Sequence, residues 1–268
     1  MHRTPCRNHS FQQPDLCIAA LVFNHGDTLT VANAISGSGS LTQAGSGTLT
    51  LTGTNSYGST IVSAGTLQVG AGGTTGTLGG GAVTDNATLV FNRSNALTVS
   101  SAIAGTGSLV QAGAGTLTLS GTNSYAATTI SAGTLVTGVA GALPAGQAVT
   151  VGAGTLDIDG KAPSVGTVTL VLGGAIVDGA GGGKLTANAF DLQSGSASAV
   201  LDGAAANHYA GAAGLGHDPG GAAERLRRAF LVAAERQVDD HQRLAGAAHH
   251  RPAMRDHHLH RDRHRAGQ

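Results

Sequence analysis

The chain has 268 residues, 43 of them Gly, with 3% aromatic residues, no Trp and a formal net charge of +0. Gly stands at about twice its usual ~7% share. So few large side chains exclude one broad core, while the Leu, Val, Ile and Ala present suit an interior only a few side chains across. With 6 Pro, and Gly placed between apolar runs, neither collagen nor Pro/Gly-rich disorder fits. Neutrality gives no electrostatic ground for a nucleic-acid or anionic-membrane partner.

Residues 1–20 read as a degenerate N-terminal extension. Arg3 and Arg7 precede a short apolar run, as in a signal peptide, but no small-x-small cleavage site follows and the run merges into LVFN at 21–24. Cys6 and Cys17 do not define a disulfide framework in a chain this long.

From residue 21 the chain repeats itself. VANAISGSGSLTQAGSGTLTLTGTNSYGSTIVSAGTLQVG (31–70) aligns without a gap on VSSAIAGTGSLVQAGAGTLTLSGTNSYAATTISAGTLVTG (99–138), 68 positions on, with roughly two thirds of the columns identical. LVFN at 21–24 and 89–92, and Leu29 with Leu97, extend the match. A repeat of this size predicts an elongated stack of similar units rather than one globule. Within each copy the signal is alternation. Thr48-Leu49-Thr50-Leu51-Thr52 and Thr116-Leu117-Thr118-Leu119-Ser120 place Leu on one face and hydroxyls on the other, the period of a half-buried strand. Gly53-Thr54-Asn55 and Gly121-Thr122-Asn123 then break the run as turns.

Further strands are predicted at Thr28–Val31, Gly39–Gln43, Ser59–Val62, Thr66–Val69, Ala87–Phe91, Ala148–Val151, Thr155–Ile158 and Thr167–Leu172, with no helical period before residue 220. Short strands at this spacing admit a sandwich, a barrel or a β-solenoid. Near-identical sequence at a fixed offset favours the solenoid, with Leu49, Leu51, Leu67, Leu117, Leu119 and Leu135 inward and the Thr rows facing water. Asn55 and Asn123 are expected at turns, their amides bonding neighbouring backbone. A sandwich of repeated immunoglobulin-like modules is the runner-up, weakened by the lack of Trp.

GSGSLTQAGSGTLTLTGTNSY (37–57) and GTGSLVQAGAGTLTLSGTNSY (105–125), followed by SAGTLQV and SAGTLVT, resemble the autotransporter-associated β-strand repeat of bacterial autotransporter passengers. The resemblance covers 21–203, including the weaker LPAGQAVTVGAGTLDIDG (143–160) and GGKLTANAFDLQSGSASAVLDG (182–203). It implies an all-β, right-handed parallel β-helix, displayed at or released from the cell surface and exported through a C-terminal β-barrel. Tyr57-Gly58 and Tyr125-Ala126 depart from the family's Tyr-Thr-Gly. No run approaches ~18 apolar residues, so no spanning helix is expected. No series of long alternating strands ends the chain, so we expect a passenger fragment without its barrel.

Composition shifts at residue 204. Residues 21–203 carry Arg93, Lys161 and Lys184 against seven Asp, whereas 204–268 hold ten Arg, nine of the twelve His and seven acids. We read 204–268 as an irregular tail, part-helical or disordered, that follows a shift of reading frame. Read one nucleotide later, the codons of His257–Gln268 permit Thr-Thr-Tyr-Thr-Gly-Thr-Ala-Thr-Val-Gln-Ala, which restores the family's Tyr-Thr-Gly. Residues 222–238 could form an amphipathic helix with Leu226, Phe230 and Ala233 on one side, and its Arg225, Arg227 and Arg228 are of the kind that meets nucleic acid or a membrane surface, but a short isolated helix is marginal in water. His249, His250, His257, His258 and His260 are clustered imidazoles of metal-binding type, but lack accompanying Cys and are read as compositional.

Catalysis needs proton-exchanging or attacking groups held together. Between Gly26 and Asn207 there is no His, Cys or Glu, and His25 fills the slot of Arg93, an exposed turn. Asp157 and Asp159 flank Ile158 and share the outer face of one strand; paired carboxylates serve glycoside hydrolysis or Ca²⁺ binding, but here read as solvated. We assign no catalytic, cofactor-binding or metal residue and expect no enzyme and no cofactor. The function expected is surface display or adhesion, with host surface protein or carbohydrate as partner, no nucleic acid, and edge-to-edge self-association. The alternatives are the remnant of an enzyme-type passenger or a truncated product without a role.

Overall fold

The computed structural model describes residues 20–203 and the backbone of 208–209. The chain divides into two compact units, Met1–Asp218 and Pro219–Gln268, and every described residue lies in the first. That unit is a parallel β-solenoid of about 9 turns. Each turn holds two or three short strands, because Gly, Asn, Ser and Ala interrupt every alternating run after about four residues.

Three sheets form the walls. The first has five strands, Ala20–Phe23, Ser40–Gln43, Thr60–Val62, Val83–Asp85 and Ile103–Ala104. The central sheet has eleven and runs from Thr28–Val31 through Thr48–Leu51, Thr66–Val69, Thr88–Phe91 and Ser108–Gln111 to Lys184–Leu192 and Val200–Asp202. The third has six, beginning at Leu97–Val99 and continuing through Thr116–Leu119, Thr134–Thr137, Thr155–Asp157 and Ala175–Val177 to Ser196–Ala197. A short strand at His208–Tyr209 also pairs with Lys184–Leu192, so the central ladder continues past Gly203.

Register puts like on like. Leu29, Leu49, Leu67, Leu89 and Leu109 are successive partners in the central sheet, and Leu97, Leu117, Leu135, Leu156 and Ile176 in the third. The six Leu expected inward are all buried, at 0 or 1% exposure. Each fully buried aliphatic side chain stabilises by ~1.5–3 kcal/mol, so these columns are the main cohesive term. The Thr rows do point outward, but neighbouring turns half-cover them, and Thr50 is buried.

Turns stack so closely that glycine is required at particular corners. At Gly65 and Gly133, equivalent positions in the two copies, φ is +60° and a Cβ would lie 2.3 Å from the carbonyl oxygens of Gly47 and Gly113.

The turn length is shorter than the sequence repeat. Thr28 pairs with Thr48 and Thr88 with Ser108, both 20 residues apart. A shift of 68 therefore amounts to three turns and one further wall. Ser40–Gln43 lies in the first sheet but its equivalent Ser108–Gln111 in the central one; Thr48–Leu51 is central but Thr116–Leu119 is in the third. The bridge Ser36↔Ser56 has as its counterpart Ala104↔Ser124, where the first sheet runs out. The two copies fold alike and occupy different sides of the same shaft.

Candidate interaction face and buried polar groups

The central sheet presents the longest continuous outer surface. Its alternation leaves Thr28, Thr48, Thr66, Thr88 and Ser108 in one outward row, in register. At ~4.8 Å per rung that row spans about 19 Å. The neighbouring row ends in Thr129, Thr150 and Thr169, and its first charged residue is Asp191. Hydroxyls and methyls alternate here without charge over most of the sheet.

Inside, the alternation rule has exceptions that sequence reasoning missed, and several are satisfied locally. Tyr57 and Tyr125 point inward at 3% exposure, and their hydroxyls pair with the buried Oγ1 atoms of Thr60 and Thr128, each at 3.0 Å. Burial pushes the Tyr125 phenol up to about 12. Gln43 and Gln111 occupy inward strand ends, where Nε2 donates to the carbonyls of Gly45 and Gly47, and of Gly113 and Gly115. The signal was available as Q-A-G-x-G, an amide followed by two glycine carbonyls within reach. Asn55 and Asn123 sit at turns as expected and join three coils. Asn123 Oδ1 accepts from Ile103 N at 2.9 Å, while Nδ2 donates to Ala142 O at 2.7 Å.

The carboxylate pair weighed for catalysis has a structural role. Asp157 Oδ1 accepts from the backbone N–H groups of Asp159 and Gly179. Asp178 gathers Gly160, Gly181 and Gly183 in the same way. Asp159, at φ +45°, lies 3.5 Å from the Lys161 ammonium, and Ile158 between the two carboxylates is fully buried. Asp157 and Asp178 thus bond the turns of adjacent coils, with their oxygens directed at amides. His25 is an exposed turn residue 3.8 Å from Asp27, and its counterpart Arg93 donates to Thr74 O and Gly76 O, bracing a glycine-rich loop. Among the described residues no three His, Cys, Asp or Glu come together as metal ligands, and no helix is long and apolar enough to cross a membrane. The tail histidines, the 222–238 helix, Cys6 and Cys17 lie outside the described residues.

Comparison with known proteins agrees with this architecture. Residues 41–69 and 109–136 match the family described as passenger-associated-transport-repeat. These segments are 68 positions apart and contain the strand pairs that shift by one wall. A 50-residue stretch, 19% of this chain, is 48% identical to the adhesin BmaC autotransporter of Brucella suis biovar 1 (strain 1330), and it spans 1% of that protein. No solved structure matches. The chain contains an autotransporter passenger repeat region with partial similarity to an adhesin.

Proposed function

We propose, from the passenger repeats this chain carries, that residues 21–203 form part of an adhesive shaft displayed at or released from a bacterial surface. The shaft holds its binding face rigid and performs no chemistry itself. The carrying observation is the outward row of Thr28, Thr48, Thr66, Thr88 and Ser108 on five central-sheet strands that carry no charge, within a chain of which one 50-residue stretch is similar to an adhesin autotransporter. Such a face complements an uncharged, hydroxyl-rich partner, the chemistry of a neutral host glycan or glycosylated surface protein. Hydroxyls match hydroxyls there, without the desolvation of a buried charge. The test is binding of the full chain to immobilised neutral glycans and to host-cell surface proteins, beside a variant carrying Thr48→Lys, Thr66→Lys and Thr88→Lys. The expected result is at least a tenfold loss of binding with the thermal midpoint retained. Equal binding by the variant would refute this face as the site.

A further inference from the structure

We propose that Asp85 is a proton-operated latch at the seam between the two repeats: its neutral carboxyl lets the coils pack dry against one another, and the charged form loosens them. This reading goes beyond adhesion and does not depend on what the shaft binds.

The geometry is unusual for a carboxyl group. Asp85 is 0% exposed, at the end of Val83–Asp85 on the inner side of the first sheet. Oδ1 accepts one bond, from Ala87 N at 3.1 Å, and among the described residues Oδ2 is buried without a partner. A charged carboxylate normally gathers two or three donors when dry. Even the half-buried Asp157 and Asp178 carboxylates in this same shaft gather two and three. Space for the group comes from glycine: a Cβ on Gly107 would lie 2.5 Å from Asp85 Oδ1. The first copy has no counterpart, because position 17 there is Cys.

Among the described residues no compensating charge faces the site. The strands paired with Val83–Asp85 are Thr60–Val62 and Ile103–Ala104, and neither carries a titratable side chain. Thr88–Phe91, which follows on the next wall, carries none either. Tyr125 is the titratable group that senses the Asp85 charge, and that charge opposes ionisation of the phenol. Burial accordingly pushes the carboxyl up to about 6 from its ordinary 3.8.

The position gives the latch its effect. Val83–Asp85 pairs with the two-residue strand Ile103–Ala104, where the first sheet ends, while the third begins nearby at Leu97–Val99. That pairing is only two residues long, so a change of one proton acts where few bonds of the first sheet oppose it. In the folded seam the carboxyl stays neutral to about pH 6, and once exposed it ionises near 3.8. The added stability is therefore full below 3.8 and falls as pH rises to 6, beyond which nothing further is lost.

The test is amide hydrogen exchange on the full chain, corrected for intrinsic rate, beside Asp85→Asn. Between pH 4 and 6.5, wild-type protection at 83–85 and 103–107 should fall by about tenfold per unit, on the order of 100-fold in all, relative to the variant. Protection at Thr155–Asp157 should show no such difference between the two proteins. Should the variant fail to fold, carboxyl ¹³C titration of wild-type Asp85 decides the matter: a midpoint near 6 supports the latch. Parallel exchange profiles in the two proteins, or a midpoint near 4, would overturn it.

Discussion

Replacing Asn123 with Ala is the sharpest test of how adjacent coils are joined. The side chain is 7% exposed and spans three turns, accepting from Ile103 N and donating to Ala142 O. Ile103 and Ala142 are themselves 0% exposed, so water cannot replace the lost partner at either end. A buried polar group left unmet costs about 1–3 kcal/mol. Two such groups give an expected loss of about 2–6 kcal/mol. Asn55→Ala supplies an internal control. Its amide donates to Thr77 O instead, and Thr77 is only half-buried, so that carbonyl recruits water and the loss should be about half as large. Asn123→Asp keeps the acceptor for Ile103 but sets an oxygen against Ala142 O. It should be as damaging as alanine at neutral pH and recover in acid, where the carboxyl regains a donor. Urea unfolding of the full chain, followed by circular dichroism, measures all three. A loss below about 0.5 kcal/mol for Asn123→Ala, the scale of an ordinary surface change, would refute the claim that these amides hold neighbouring turns.

Two further outcomes are expected. Gly115→Ala should destabilise by roughly 1–3 kcal/mol, because its Cβ would lie 2.2 Å from Asn95 O; Gly73→Ala, with nothing within 4 Å, should raise stability by up to about 1 kcal/mol. Thermal melts of the pair separate stacking from glycine content. Val22 is 57% exposed on Ala20–Phe23, the outermost strand of its sheet among the described residues, where we expect another chain to add. Val22→Lys should lower light scattering at high concentration, and an unchanged signal would place association elsewhere.

The alternating Thr-Leu runs were legible because they mark both a strand and its buried side, and every Leu assigned inward from them is buried. The 68-residue repeat was conspicuous and concealed the shorter period beneath it. Thr-Leu recurs at 28, 48, 66 and 88 along the central ladder and at 116, 134 and 155 along the third, but the flanking residues diverge enough to hide the turn length. Period-two reasoning also assigns hydroxyls to water, which fails at Thr60 and Thr128. There a phenol enters the interior and needs a partner. Asp85 was invisible for a different reason: a lone Asp before Asn86 reads as a turn, and only stacking beneath Gly107 reveals that it is dry. The carboxylates of Asp157 and Asp159 were recognised as a pair, but one of the two turn amides that occupy Asp157, that of Gly179, comes from a coil that the sequence does not place beside it.

Because each copy advances by three turns and one wall, matching patches on successive copies wind around the shaft like steps on a spiral stair. At ~4.8 Å per rung, a step rises about 16 Å and turns about a third of the way round. A fourth copy would return a patch to its original bearing. A longer array of this kind presents the same patch on all three walls, so a flat surface laid along it meets one copy in every three whatever its roll.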